Sequence, residues 1–117
     1  MRHLAFALAG FAALAACEPP AHGGTGSTQS GEPLTGEINI SEATSLNEVI
    51  IRGENWSCTG KYDRYMGTDT ARNFPLDCTD ETSGAATITA YPDSFRSIVA
   101  FRLANGTAGR VGFNGIN

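Results

Sequence analysis

The sequence predicts an all-β domain, a small antiparallel sheet or barrel with one disulfide, preceded by a signal helix and a disordered linker. Three observations point there. Residues 86–91 (Ala-Thr-Ile-Thr-Ala-Tyr) alternate by size and polarity, Asn105-Gly106 separates two further strand-like runs, and glycine supplies 14 of 117 residues. No window shows the 3.6-residue period of a convincing amphipathic helix.

Taken in order, residues 1–16 open with a charged Met1-Arg2-His3 and continue as an uncharged apolar run from Leu4. Thirteen such residues in a helix rise about 20 Å, short of the ~30 Å hydrocarbon core, so a cleaved export signal fits better than a membrane span. The run ends at Leu14-Ala15-Ala16-Cys17, which resembles the lipobox of bacterial lipoproteins. That resemblance implies cleavage before Cys17 and a diacylglyceryl thioether on its sulfur. It would anchor the protein in the cell envelope, and Glu18 at the following position favours the outer membrane, facing the periplasm. Cleavage after Ala15 as an ordinary secretory signal, and an uncleaved anchor, are the competing readings.

Residues 17–36 then read as a lipidated cysteine and a flexible linker, dense in Pro, Gly, Ser and Thr with Leu34 as the one large apolar residue. Treated as a coil, the stretch would span roughly 25 Å and hold a domain of residues 37–117 clear of the headgroups.

Within that domain, Ile38-Asn39-Ile40 alternates and could start a strand. Residues 49–52 have a β-branched run followed by Gly53, which favours a strand, although Ser45 and Glu48 have the spacing of a helix capping box. Residues 56–62 read as a strand, and residues 74–78 as another, with Pro75 pushing the latter toward a sheet edge. In residues 86–91, Ala86, Ile88 and Ala90 share one face. The last element is a hairpin. If Ala104-Asn105-Gly106 forms a three-residue loop, Leu103 faces Thr107, and Val99, Phe101, Leu103, Val111 and Phe113 gather on one face, with Ala100, Arg102, Ala108 and Arg110 on the other. A two-residue turn would split the large residues between both faces, so the pattern selects the longer loop and predicts a positive φ at Gly106.

Three cysteines occur in the chain. Lipidation of Cys17 leaves Cys58 and Cys78 to pair in an oxidising compartment, the alternative being two free thiols.

Several function classes lose their residues. The net charge is −4 with no basic stripe, which argues against nucleic acid. His22 is the only histidine beyond the leader and falls in the linker, so the domain offers no Ser-His-Asp or Cys-His constellation and no zinc set; no metal or cofactor is expected. Asp63, Asp69, Asp77, Asp80, Glu81 and Asp93 read as turn residues, with a small carboxylate-based hydrolase as the lesser alternative. Tyr62-Asp63-Arg64-Tyr65 has the composition of a contact surface, which makes Tyr62, Arg64 and Tyr65 candidate partner-binding residues.

Residues 56–113 are similar to a group of short exported proteins of Gram-negative bacteria. The likeness rests on Cys58-Thr59-Gly60-Lys61-Tyr62, on Cys78-Thr79-Asp80 with Gly84 downstream, on Asn105-Gly106-Thr107 and on Gly112-Phe113. It implies a β-rich fold with one disulfide and no particular activity. Those proteins have Asp-Gly after the second cysteine; this chain has Asp80-Glu81, which puts a tight turn there in question. The functional expectation is a non-enzymatic binding or accessory module, anchored in the membrane by its lipid and meeting an envelope protein or glycan. A periplasmic inhibitor of a hydrolase such as lysozyme, similar in architecture only, is the alternative, with residues 61–73 as its inhibitory loop.

Overall fold

The computed structural model describes residues 22–65 and 70–114. Eight antiparallel strands follow one another around a closed barrel: β1 (His22–Thr28), β2 (Pro33–Ile40), β3 (Leu46–Arg52), β4 (Ser57–Asp63), β5 (Ala71–Cys78), β6 (Ser83–Tyr91), β7 (Arg96–Leu103) and β8 (Ala108–Asn114). Each strand pairs with its sequence neighbours, and β8 returns to pair with β1. The expected signal helix, and Cys17, lie outside the described residues.

The alternation read from the sequence becomes an inside and an outside. Val49, Ile51, Leu76, Ile88, Val99, Val111 and Phe113 point inward and are almost fully buried, as are Leu34 and Ile38. The final hairpin takes the three-residue register: the Leu103 N–H donates to the Thr107 carbonyl (2.8 Å) and Gly106 has φ 93°. Residues 46–52 form a strand, and the capping-box alternative is not realised.

Two expectations are corrected. The flexible linker of residues 17–36 is ordered from His22 onward, where it forms β1 and the first half of β2. Composition hid this because β1 contributes almost no side-chain volume: its inward positions include Gly24 and Gly26. A Cβ on Gly24 would lie 2.6 Å from Phe113 Cδ2, and one on Gly36 in β2 would lie 2.7 Å from both Phe113 Cζ and Val111 Cγ1. The glycine face makes room for the large residues of β8, and backbone pairing to β2 and β8 holds β1 in place.

Pro75, expected at a sheet edge or strand start, stands inside β5 opposite Ala85 of β6. Its local surroundings still resemble an edge. The Cys78 N–H donates to Thr82 on the β6 side and the Thr79 N–H to Ser57 on the β4 side (both 2.9 Å), so alternation turns the proline nitrogen toward β4. There the ladder consists only of Cys58–Cys78 and Thr59–Asp77. Beyond those pairs, the β4–β5 seam continues as the packed rings of Tyr62 and Phe74, 5.7 Å apart.

Candidate functional site at the barrel mouth

The two ends of the barrel differ. One end carries the hairpin turns of residues 29–32, 53–56, 79–82 and 104–107. Three of them share one design. The N–H groups of Thr28, Cys78 and Leu103 donate across three-residue loops to Glu32, Thr82 and Thr107, and the third loop residue has positive φ: Gly31 (97°), Glu81 (63°) and Gly106 (93°). Asp80-Glu81 therefore does support a tight turn, helped by Asp80 Oδ1 accepting the Thr82 N–H (3.3 Å). Glu32 accepts hydrogen bonds from Trp56 Nε1 (3.0 Å) and the Glu54 N–H (2.8 Å), and the Trp56 ring packs against Phe101 across the barrel (6.1 Å). Indole and carboxylate together close this end. The Cys58–Cys78 disulfide, with a Cα separation of 4.0 Å, lies inside beside them, as the cysteine count predicted.

The opposite end is a mouth bounded by residues 41–45, 64–65, 70 and 92–95 and by the first described residue, His22. Just inside it, at inward positions of their strands, stand four polar residues: Asn47, Tyr62, Arg72 and Ser97. Asn47 (3% exposed) and Tyr62 (5%) face each other across β3 and β4, and Asn47 Nδ2 donates to the Tyr62 hydroxyl (3.1 Å). That bond leaves the phenol proton free to be donated elsewhere. Asn47 Oδ1 is buried without a hydrogen-bond partner among the described residues, a costly arrangement for a core position. Burial raises the Tyr62 phenol pKa above its ordinary 10.0, and the Asn47 hydrogen bond draws it partly back. Arg72 donates from Nη2 to the Tyr65 carbonyl (3.3 Å), tying β5 to the loop that leaves β4.

Around this interior lies an apolar rim. Among the described residues, the exposed large apolar side chains, Ile40, Leu46, Tyr65, Tyr91 and Phe95, all lie at this end. Arg64 fixes the rim locally: its backbone N–H donates to Ser45, its Nη1 to the Ser41 carbonyl (2.9 Å), and its guanidinium lies 5.1 Å from the centre of the Tyr65 ring.

The sequence-predicted contact trio is thereby divided. Arg64 and Tyr65 are on the rim, whereas the Tyr62 side chain is inside the barrel and is corrected from a surface contact to an interior group. Its alternate position in β4 is the cause: Cys58, Gly60 and Tyr62 share the inward face. Sequence reasoning missed Asn47, although a polar residue on the inward phase with Val49 and Ile51 was its available signal. The proposed inhibitory loop is described at residues 61–65 and 70–73; its apex, residues 66–69, lies outside the described residues. Of the carboxylates read as turn residues, Asp63 accepts the Tyr65 N–H (2.9 Å) and Asp80 the Thr82 N–H, as turn residues do, whereas Glu37 in β2 pairs with Arg52 (3.4 Å). Among the described residues, no group of three His, Cys, Asp or Glu side chains could hold a metal ion.

No protein-family model matches the chain, and no curated protein sequence matches it. Among solved structures it is similar to the redesigned β-barrel mFAP1 bound to DFHBI (TM-score 0.60, 12% identity, covering 82% of this chain and 93% of that one). A second redesigned β-barrel gives a TM-score of 0.60 at 12% identity, covering 82% and 89%. A de novo designed fluorescence-activating β-barrel gives 0.57 at 14%, covering 83% and 92%. Likeness at these identities establishes the barrel fold alone.

Proposed function

We propose that the protein is a lipid-anchored lipoprotein of the bacterial cell envelope whose barrel is a non-enzymatic binding module. The carrying observation is the cysteine partition. Cys58 and Cys78 are joined inside the barrel, which leaves Cys17, at the end of a lipobox-like Leu14-Ala15-Ala16, as the one cysteine without a disulfide role. An oxidised pair suits an exported chain, and the remaining cysteine suits thioether modification.

The mouth supports a binding role. Asn47 Oδ1 offers an unused acceptor and the Tyr62 hydroxyl a donor, at the polar end of an otherwise apolar interior. mFAP1, of similar fold, is bound to DFHBI, so a barrel of this kind is compatible with such a role. The scattered carboxylates, with Asp63 and Asp80 bonded in turns and Glu37 paired with Arg52, lend nothing comparable to a hydrolase.

The test is expression of the full chain and of Cys17→Ser in a Gram-negative host, followed by membrane fractionation and mass spectrometry of the N-terminal peptide. The wild-type chain is expected in the membrane fraction with a diacylglyceryl mass on Cys17, and the variant in the soluble periplasmic fraction. An unmodified wild-type chain that begins at Ala16 would establish an ordinary secreted protein instead.

A further inference from the structure

We infer that the barrel stands mouth-down on the lipid bilayer, with Ile40, Leu46, Tyr65, Tyr91 and Phe95 as its membrane-contacting rim and the Trp56–Glu32 end turned away. The inference rests on the reading of Cys17 as the anchor and adds what that reading leaves open, the orientation and the contact surface.

Four independent features converge on it. The first is placement. The five exposed large apolar residues among those described come from β2, β3, the segment after β4, β6 and the turn before β7, yet all reach the same end of the barrel. Two are tyrosines, whose amphipathic rings suit the headgroup boundary, and Phe95 is 64% exposed.

The second is the tether. The barrel begins at His22, at the mouth end, and five residue steps separate it from Cys17. Fully extended, those steps span at most about 18 Å. Strands of this length, tilted as in an eight-stranded barrel, give a height of about 20 Å. The tether reaches the mouth easily but is too short to run the height of the barrel, so it opposes inversion.

The third is charge. Counted to three residues into its strands, the far end carries Glu32, Glu54, Asp77, Asp80 and Glu81 against Arg52, Arg102 and Arg110. At the mouth, counted to the same depth among the described residues, Glu42, Glu48, Asp63 and Asp93 are balanced by Lys61, Arg64, Arg72 and Arg96. The far end thus has a small acidic excess and the mouth none, so a surface of anionic lipid would disfavour the far end relative to the mouth.

The fourth is backbone strain. Phe95 is held at φ 52°, in the left-handed region that a bulky residue rarely occupies, with its N–H donating to the Pro92 carbonyl (3.3 Å). The turn thus holds an exposed aromatic ring at the rim in a conformation that glycine would adopt without strain.

Trp56, the only tryptophan, supplies a natural reporter at the far end. The experiment uses the mature chain from Cys17, whose free thiol is coupled to a maleimide phospholipid in phosphatidylcholine vesicles, with and without brominated acyl chains. Supplying the lipid chemically separates orientation from the question of lipidation in cells. In the wild type, Trp56 emission should be unchanged by bromine. In Trp56→Phe/Phe95→Trp and Trp56→Phe/Tyr65→Trp, emission should shift to the blue and be quenched roughly twofold. A parallel arm with phosphatidylglycerol vesicles should give the same pattern.

Quenching of Trp56 equal to or greater than that of the rim reporters would overturn the inference. So would unquenched rim reporters in both variants, once circular dichroism shows them folded; that outcome would mean that the rim meets a protein rather than lipid. Lipidation of Cys17 in cells combined with unquenched rim reporters would refute the orientation alone. Quenched rim reporters without lipidation in cells would refute the anchor alone.

Discussion

At the scale of single residues, the turns at the closed end show how one geometry accepts different side chains at different cost. Gly31 and Gly106 occupy the left-handed position of their loops, and Glu81 occupies the same position between β5 and β6. An L side chain there costs roughly 1 kcal/mol. Glu81→Gly is accordingly expected to raise unfolding stability by about 0.5–1 kcal/mol in urea denaturation, because relief of strain exceeds the added freedom of the unfolded chain. A loss of stability would mean that Glu81 makes a compensating contact. Tyr62 gives a pH signature. Its folded-state pKa is raised above 10.0, so the folded chain holds the phenol proton more firmly than the unfolded chain. The resulting stability is fully present below pH 10 and is lost as pH rises through the folded-state value. Tyr62→Phe should therefore flatten the alkaline limb of a pH–stability profile. An ultraviolet titration should show one tyrosine ionising later than the others.

At the scale of elements, the β4–β5 seam combines a short ladder with a covalent link. Pro75 withholds a donor from the β4 side, pairing is confined to residues next to the cysteines, and the disulfide closes the loop between them, with a sequence separation of 20. Chain-entropy reasoning assigns a link of that span about 3 kcal/mol. The double variant Cys58→Ala/Cys78→Ala should lose approximately that much in urea unfolding, and amide exchange should accelerate first in β4 and β5. Uniform acceleration around the barrel would contradict a weak seam. Strands β1 and β2 illustrate the opposite economy, glycine accommodating bulk from a neighbour. Gly36→Ala places a methyl group against Phe113 and Val111 and should cost about 1–3 kcal/mol. In a Phe113→Leu background the cost should shrink, a coupling that a double-mutant cycle measures directly.

At the scale of the molecule, an end-to-end polarity emerges that no single element contains. One end is closed by Trp56 and Glu32 and has a small acidic excess; the other holds Asn47, Tyr62, Arg72 and Ser97 inside an apolar rim and is where the described chain begins, at His22. An antiparallel meander of eight strands creates this polarity automatically, since alternate connections fall at opposite ends. Residues far apart in sequence, such as Ile40 and Phe95, thereby join one surface. The burial of Asn47 is consistent with the same division: its amide is tolerated near the mouth, away from the wholly apolar middle formed by Val49, Ile51, Ile88 and Val99.

Much of the barrel is legible in local chemistry. Alternation located β6, β7 and β8, the Asn-Gly step and the face pattern chose the last register, the β-branched run located β3, and cysteine arithmetic paired Cys58 with Cys78. These features are set by neighbours along the chain or by simple counting, so the sequence by itself determined the all-β class, the final hairpin and the disulfide. The tertiary structure alone decided that His22–Thr28 is a strand, that Tyr62 faces the interior and that five scattered apolar residues form one rim. In each case the deciding partner is remote: Phe113 fills the space left by glycines of β1 and β2, and closure of β8 onto β1 turns an open sheet with edges into a barrel with ends. A glycine-rich segment carries no hydrophobic period to announce a strand, because its contribution is space and backbone hydrogen bonds, and both acquire meaning only when the neighbouring strands are in place.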